Sequence, residues 1–105
     1  AVDEAAGSAR NGSRLSCSLS PNPMVSGTEI LLGDLPRGPS TTLSIEILDL
    51  TGSVVQVMSV TGGQKTQRIR WEGRTADGNP VPAGVYHVRV RVAGEMVTAK
   101  LIVLR

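Results

Sequence analysis

Four sets of side chains in this sequence have the types needed for chemistry. Cys17 is the single cysteine and His87 the single histidine. Nucleophilic catalysis needs a thiol or hydroxyl beside a base. His87 is the one imidazole on offer, and it alternates with Arg89 and Arg91 between valines, the pattern of a solvated strand face. Cys17 alternates with Leu15 and Leu19, the pattern of a small core side chain rather than a reactive thiol. Glu72, Asp77 and Asn79 share one stretch, where a paired-acid or calcium site is conceivable. The interleaved spacing of a calcium loop is missing, however, and loop carboxylates commonly cap turns. Arg68 and Arg70 would join Arg89 and Arg91 in a basic stripe if the strands carrying them were neighbours, with Glu46 offsetting it.

The remaining classes are bounded by composition. The chain has 105 residues, 40% of them hydrophobic, and a net charge of +2. The basic excess is small and unclustered, which argues against a nucleic-acid surface. Trp71 and Tyr86 are the only aromatic residues. Stacking on single-stranded nucleic acid wants interleaved rings, and a sugar platform wants exposed ones. One cysteine permits no internal disulfide, and one Cys with one His does not make a zinc cage. No apolar run reaches the length of a membrane span, so no membrane insertion is expected. The expectation is a non-enzyme with no catalytic residues, no cofactor and no metal centre.

The elements that must position these residues are short and extended. Apolar runs occur at Leu15–Leu19, Glu29–Leu32, Leu43–Leu50, Val54–Val60, Thr66–Trp71, Val85–Val92 and Met96–Leu104. Most alternate with period two, as half-buried strands do. Tyr86, Val88, Val90 and Val92 fall on one face of the sixth run. Val97, Ala99, Leu101 and Val103 fall on one face of the seventh. Leu48 and Leu50 break the alternation of the third, which predicts a bulge or a strand covered on both faces. Thr51-Gly52-Ser53 predicts a tight connection and a hairpin between the third and fourth runs. Pro21-Asn22-Pro23 stops the first run, because two prolines cannot donate to a ladder. Residues 72–84 hold glycines and prolines throughout, with Asp77-Gly78-Asn79-Pro80 the strongest turn signal. No helical period extends over ten residues. Residues 15–105 are therefore expected to form one all-β domain, a seven-stranded antiparallel sandwich. Residues 1–14 are small and polar, and read as a flexible lead-in rather than a signal peptide.

Taken in order, the motifs resemble a known family. They are Pro21-Asn22-Pro23, Ile47-Leu48-Asp49-Leu50-Thr51-Gly52, Trp71-Glu72-Gly73-Arg74, Asp77-Gly78, Val81-Pro82-Ala83-Gly84-Val85-Tyr86 and Lys100-Leu101-Ile102-Val103. The series is similar to the C-terminal sorting domain of type IX secretion substrates. It equally resembles the related immunoglobulin-like domain of the flagellar hook-capping protein. It departs from the family at Ser20, where an aromatic residue is common.

The resemblance implies an immunoglobulin-like β-sandwich that is covalently part of a larger secreted cargo protein. Its partners would be an outer-membrane translocon and a sortase-like surface protease, and the cargo would reach the cell surface or the medium by way of the periplasm. The cleavage point would lie before Leu15. Lys100, Leu101, Ile102 and Val103 would be the terminal recognition motif. Pro21, Asn22 and Pro23 would be the opening motif. Trp71, Gly73, Gly78, Gly84 and Tyr86 would be scaffold, with the Tyr86 hydroxyl given to a turn. A terminal strand could be read by strand addition or as a mixed polar and apolar tail. On this reading, removal of residues 100–105 strands active cargo in the periplasm. The other reading is a permanent structural or interaction module, either hook-cap-like or accessory to a secreted enzyme, with a sugar-binding module as a weaker variant.

Overall fold

Period-two alternation becomes seven strands in the computed structural model, which describes residues 15–33, 35, 42–61, 65–92 and 94–104. Residues 1–14 with the expected cleavage point, and residues 34, 36–41, 62–64, 93 and 105, lie outside the described residues. The strands are β1 (Ser16–Ser20), β2 (Thr28–Gly33), β3 (Thr42–Leu48), β4 (Val54–Thr61), β5 (Gln67–Trp71), β6 (Gly84–Val92) and β7 (Glu95–Val103). They form two antiparallel sheets, ordered β1-β2-β5 and β4-β3-β6-β7. This is the sandwich the alternation predicts.

The alternation also sorts the core. Cys17, Leu19, Ile30, Leu32 and Trp71 point inward from the first sheet, and Leu43, Ile45, Ile47, Tyr86, Val88, Val90, Val97, Ala99, Leu101 and Val103 from the second. Each fully buried Val, Leu or Ile contributes about 1.5–3 kcal/mol of transfer free energy, so moving any strand by one residue would forfeit most of its set. The β3–β4 hairpin forms as expected, and its register shifts between Ile47 and Leu48. That shift is the bulge. Both Ile47 and Leu48 are buried at the strand's end, so β3 is also covered on both faces there; β3 stops at Leu48, and Leu50 is 73% exposed.

One expectation is overturned. Strands β5 and β6 belong to different sheets. Arg68 and Arg70 stand on the outer face of the three-stranded sheet, while Arg89 and Arg91 stand on the opposite outer face. No shared basic stripe exists. Arg68 instead approaches Glu29 at 3.6 Å, and Arg70 meets Glu72 at 2.7 Å. Arg89 sends Nε and Nη2 to one Glu46 oxygen, at 2.8 and 2.7 Å. The two-residue period reports which face a side chain occupies, not which strand lies beside it.

Candidate functional site

Proline has no backbone N–H, so a Pro-Asn-Pro segment is poor in main-chain donors. Here the side chain of Asn22 makes up the deficit. Its Nδ2 donates to the Lys100 carbonyl at 2.8 Å, and its Oδ1 accepts the Ile102 N–H at 3.0 Å. A strand edge offers a carbonyl and an N–H two residues apart. Among short side chains, an amide carries both complementary groups. Backbone pairing then takes over. The Met24 N–H donates to the Ile102 carbonyl at 2.8 Å, and the Leu104 N–H donates to the Met24 carbonyl at 2.7 Å. Met24 and Val103 form an isolated parallel bridge. Residues 21–24 therefore cross from the first sheet to the second and strap the outer edge of β7. Both Pro21 and Pro23 follow cis peptide bonds.

The strap is anchored from behind. Thr28 is fully buried, and its hydroxyl donates to the Pro21 carbonyl at 2.8 Å. Thr28 pairs with Trp71 across β2 and β5. The indole of Trp71 lies edge-on to the Tyr86 ring, with centroids 6.3 Å apart. Tyr86 pairs with Leu101, and Gly84 with Val103. The opening motif, the terminal motif, Trp71, Tyr86 and Gly84 thus meet at one end of the sandwich.

Trp71 and Tyr86 also hold the segment 72–84. The indole N–H donates to the Arg74 carbonyl at 3.0 Å, and the Tyr86 hydroxyl donates to the Pro82 carbonyl at 2.6 Å, the turn contact expected of it. Between these anchors the Thr75 N–H bonds the Asn79 carbonyl and the Gly78 N–H bonds the Thr75 carbonyl. Gly73 and Gly78 have φ of 78° and 87°, and Gly84 has φ of 155°. The first two sit in the left-handed region where a Cβ is costly. This loop in turn reaches β4, where the Ala76 N–H donates to the Val55 carbonyl at 3.0 Å.

The four terminal residues divide by face. Leu101 and Val103 are core, whereas Lys100 is exposed and Ile102 half-buried on the outer face. A partner can reach Lys100 and Ile102; it cannot reach Leu101 and Val103 in the folded domain. Strand addition along residues 100–104 is also obstructed, because Asn22 and Met24 already hold the Lys100 carbonyl, both Ile102 groups and the Leu104 N–H. Deleting residues 100–105 would remove core, so the truncation reports folding as much as recognition.

The candidate chemical groups are placed as follows. Cys17 is buried, and desolvation pushes its thiol up to about 12. His87 is half-buried on the outer face beside Lys100. Glu72 is engaged by Arg70, and no group of three His, Cys, Asp or Glu is placed to hold a metal ion among the described residues. Asp49 sits below the ordinary carboxylate range. Its carboxylate accepts from the Thr51 hydroxyl at 2.6 Å, the Ser53 N–H at 2.9 Å and the Thr51 N–H at 3.0 Å. The sequence reasoning missed Thr28, Met24, Gln56 and Gly27. A Cβ on Gly27 would stand 2.5 Å from Arg70 Nη2 and 3.1 Å from the Trp71 carbonyl. None of these residues carries a local signal, since each acts on a segment distant in sequence or in the other sheet.

Comparison with known proteins gives a consistent picture. A family model described as the FlgD Ig-like domain matches residues 24–95. A search of curated proteins finds no match. Among solved structures, dimeric latent PorU from Porphyromonas gingivalis superposes with a TM-score of 0.73 at 22% identity, over 90% of this chain and 10% of that one. PorZ from the same organism, an essential bacterial surface component of its type-IX secretion system, gives 0.58 at 26% identity, over 85% of this chain and 11% of that one. FlgD from P. aeruginosa gives 0.59 at 18% identity, over 83% and 74%. The chain therefore spans about a tenth of PorU and of PorZ.

Proposed function

Because the chain belongs to the FlgD Ig-like domain family, we propose that this immunoglobulin-like domain serves as a non-catalytic C-terminal sorting domain. It directs a larger bacterial protein across the outer membrane by type IX secretion and is removed at the cell surface. The observation that carries the reading is the strap. The opening motif and the terminal recognition motif, far apart in sequence, are bonded to one another through Asn22 and Met24. A partner at that corner meets both at once. The likeness to a segment of PorZ, itself a surface component of that secretion system, supports the same reading. In this reading the translocon reads the face of β7, through Lys100 and Ile102, and the protease cuts before Leu15.

The test is a fusion of the whole chain behind a passive reporter enzyme, expressed in a bacterium with type IX secretion. The reporter should reach the surface. Lys100→Glu reverses an exposed charge without touching the core, and should leave active reporter in the periplasm. A wild-type fusion that folds and yet stays in the periplasm overturns the reading.

The family match itself favours a second reading, a permanent structural or interaction module like the hook-cap domain. The intact mass of the mature parent protein separates the two. A surface protein lacking these 105 residues is the product of sorting; one that retains them carries a module.

A further inference from the structure

Both edges of the four-stranded sheet carry a side-chain amide. On β4, Gln56 Oε1 accepts the Val57 N–H at 2.9 Å, while the Ala76 N–H covers the Val55 carbonyl. On β7, Asn22 covers Lys100 and Ile102. Unpaired edge groups template pairing with another chain, and folded proteins shorten or block them. We infer that the strap 21–24 is an edge guard, with Asn22 its working residue, and that the partner it excludes is β7 of a second copy of this chain.

The geometry runs through the ladder. Asn22 bonds Lys100 and Ile102 on the outer edge, so the even-numbered residues of β7 turn their backbone groups away from β6. These are Met96, Thr98, Lys100 and Ile102. With the strap in place, Met96, Thr98 and the Lys100 N–H still offer outward groups among the described residues of β7, too short a stretch to hold another strand. Without the Asn22 side chain the Lys100 carbonyl and the Ile102 N–H are released as well, and of the outward groups of these four residues Met24 keeps the Ile102 carbonyl alone.

The released edge is self-complementary. An antiparallel β7–β7 pair about a two-fold axis at Ala99 sets Met96 against Ile102 and Thr98 against Lys100 on the outer face. On the inner face it sets Val97 against Leu101. Met96 meets Ile102 and Val97 meets Leu101, and neither charge in the register, Lys100 opposite Thr98 or Glu95 opposite Val103, opposes its own copy. This holds whether or not the domain is a sorting signal.

The test compares the wild-type 105-residue chain with Asn22→Ala by light scattering after size exclusion, over a dilution series. The wild type should be monomeric. Asn22→Ala should form a dimer whose fraction rises with concentration, with self-association at least ~10-fold tighter. Adding Thr98→Pro should restore the monomer, because the Thr98 N–H points outward and its loss leaves the β6 ladder intact. A folded Asn22→Ala that stays monomeric overturns the inference, as does a wild type that dimerises equally. A dimer that survives Thr98→Pro places the contact elsewhere and overturns the assignment to β7. Should Asn22→Ala not fold, Asn22→Asp keeps the acceptor and loses the donor; folded and monomeric throughout, it overturns the inference too.

Discussion

Trp71→Ala, at the end of β5, should be among the most damaging single substitutions in this domain. Trp71 is 3% exposed and fills the space between the two sheets at the end where the motifs meet. Truncating a buried tryptophan to alanine costs about 3–5 kcal/mol in transfer and cavity terms. The edge-on contact with Tyr86 at 6.3 Å adds a further ~0.5–1.5 kcal/mol. The lost indole bond adds little, because Arg74 is exposed and water can satisfy its carbonyl. Against a total stability of about 5–15 kcal/mol, the loss ranges from about a quarter of the stability to all of it. The melting temperature should fall by roughly 15–30 °C for a domain of this size. Thermal melts by far-UV circular dichroism measure this without relying on the tryptophan itself. Trp71→Phe keeps a ring against Tyr86 and should cost well under half as much. A Trp71→Ala protein that melts within about 5 °C of the wild type would refute the packing argument.

The other predictions rest on separate contacts. Cys17, with its thiol pushed to about 12 and its side chain buried, should not react with a thiol reagent at neutral pH until the protein unfolds; rapid labelling of the native protein would contradict the burial. The Asp49 carboxyl has a lower pKa folded than unfolded, so its contribution is present above the unfolded pKa and lost as pH falls through the folded one. Melting curves of wild type and Asp49→Asn should therefore differ at neutral pH and converge in acid, and a constant gap across the acid range would sink the argument. Gly78 has φ of 87° with nothing near the position of an added Cβ, so Gly78→Ala should cost only the backbone term, about 1–2 kcal/mol. A neutral result in denaturant titration would show that the turn relaxes.

Much of this protein is legible from its sequence because a strand's inward face is a local property. The period of two in Val85–Val92 and Met96–Leu104 assigns Tyr86, Val88, Val97 and Leu101 inward without knowledge of any neighbour, and the structure agrees. The same alternation within Lys100-Leu101-Ile102-Val103 separates two readable side chains from two core ones. Turns were legible where Pro fixes φ and Gly admits a positive one, as at Asp77-Gly78-Asn79-Pro80. Pairing beyond the β3–β4 hairpin was not legible, because it depends on the total burial of both sheets. Arg68 and Arg89 look alike in sequence, and only the sheet order puts them on opposite faces. Asn22 between two prolines reads as a turn residue. Its bonds run to residues 78 and 80 positions away, and no local pattern encodes a distance of that kind. Thr28 and Gly27 are silent for the same reason: a buried hydroxyl and a missing Cβ acquire meaning only when Pro21 and Trp71 arrive beside them. The sequence by itself determined seven strands and their inner faces; tertiary structure decided the strap, because closing an edge requires two distant segments to meet.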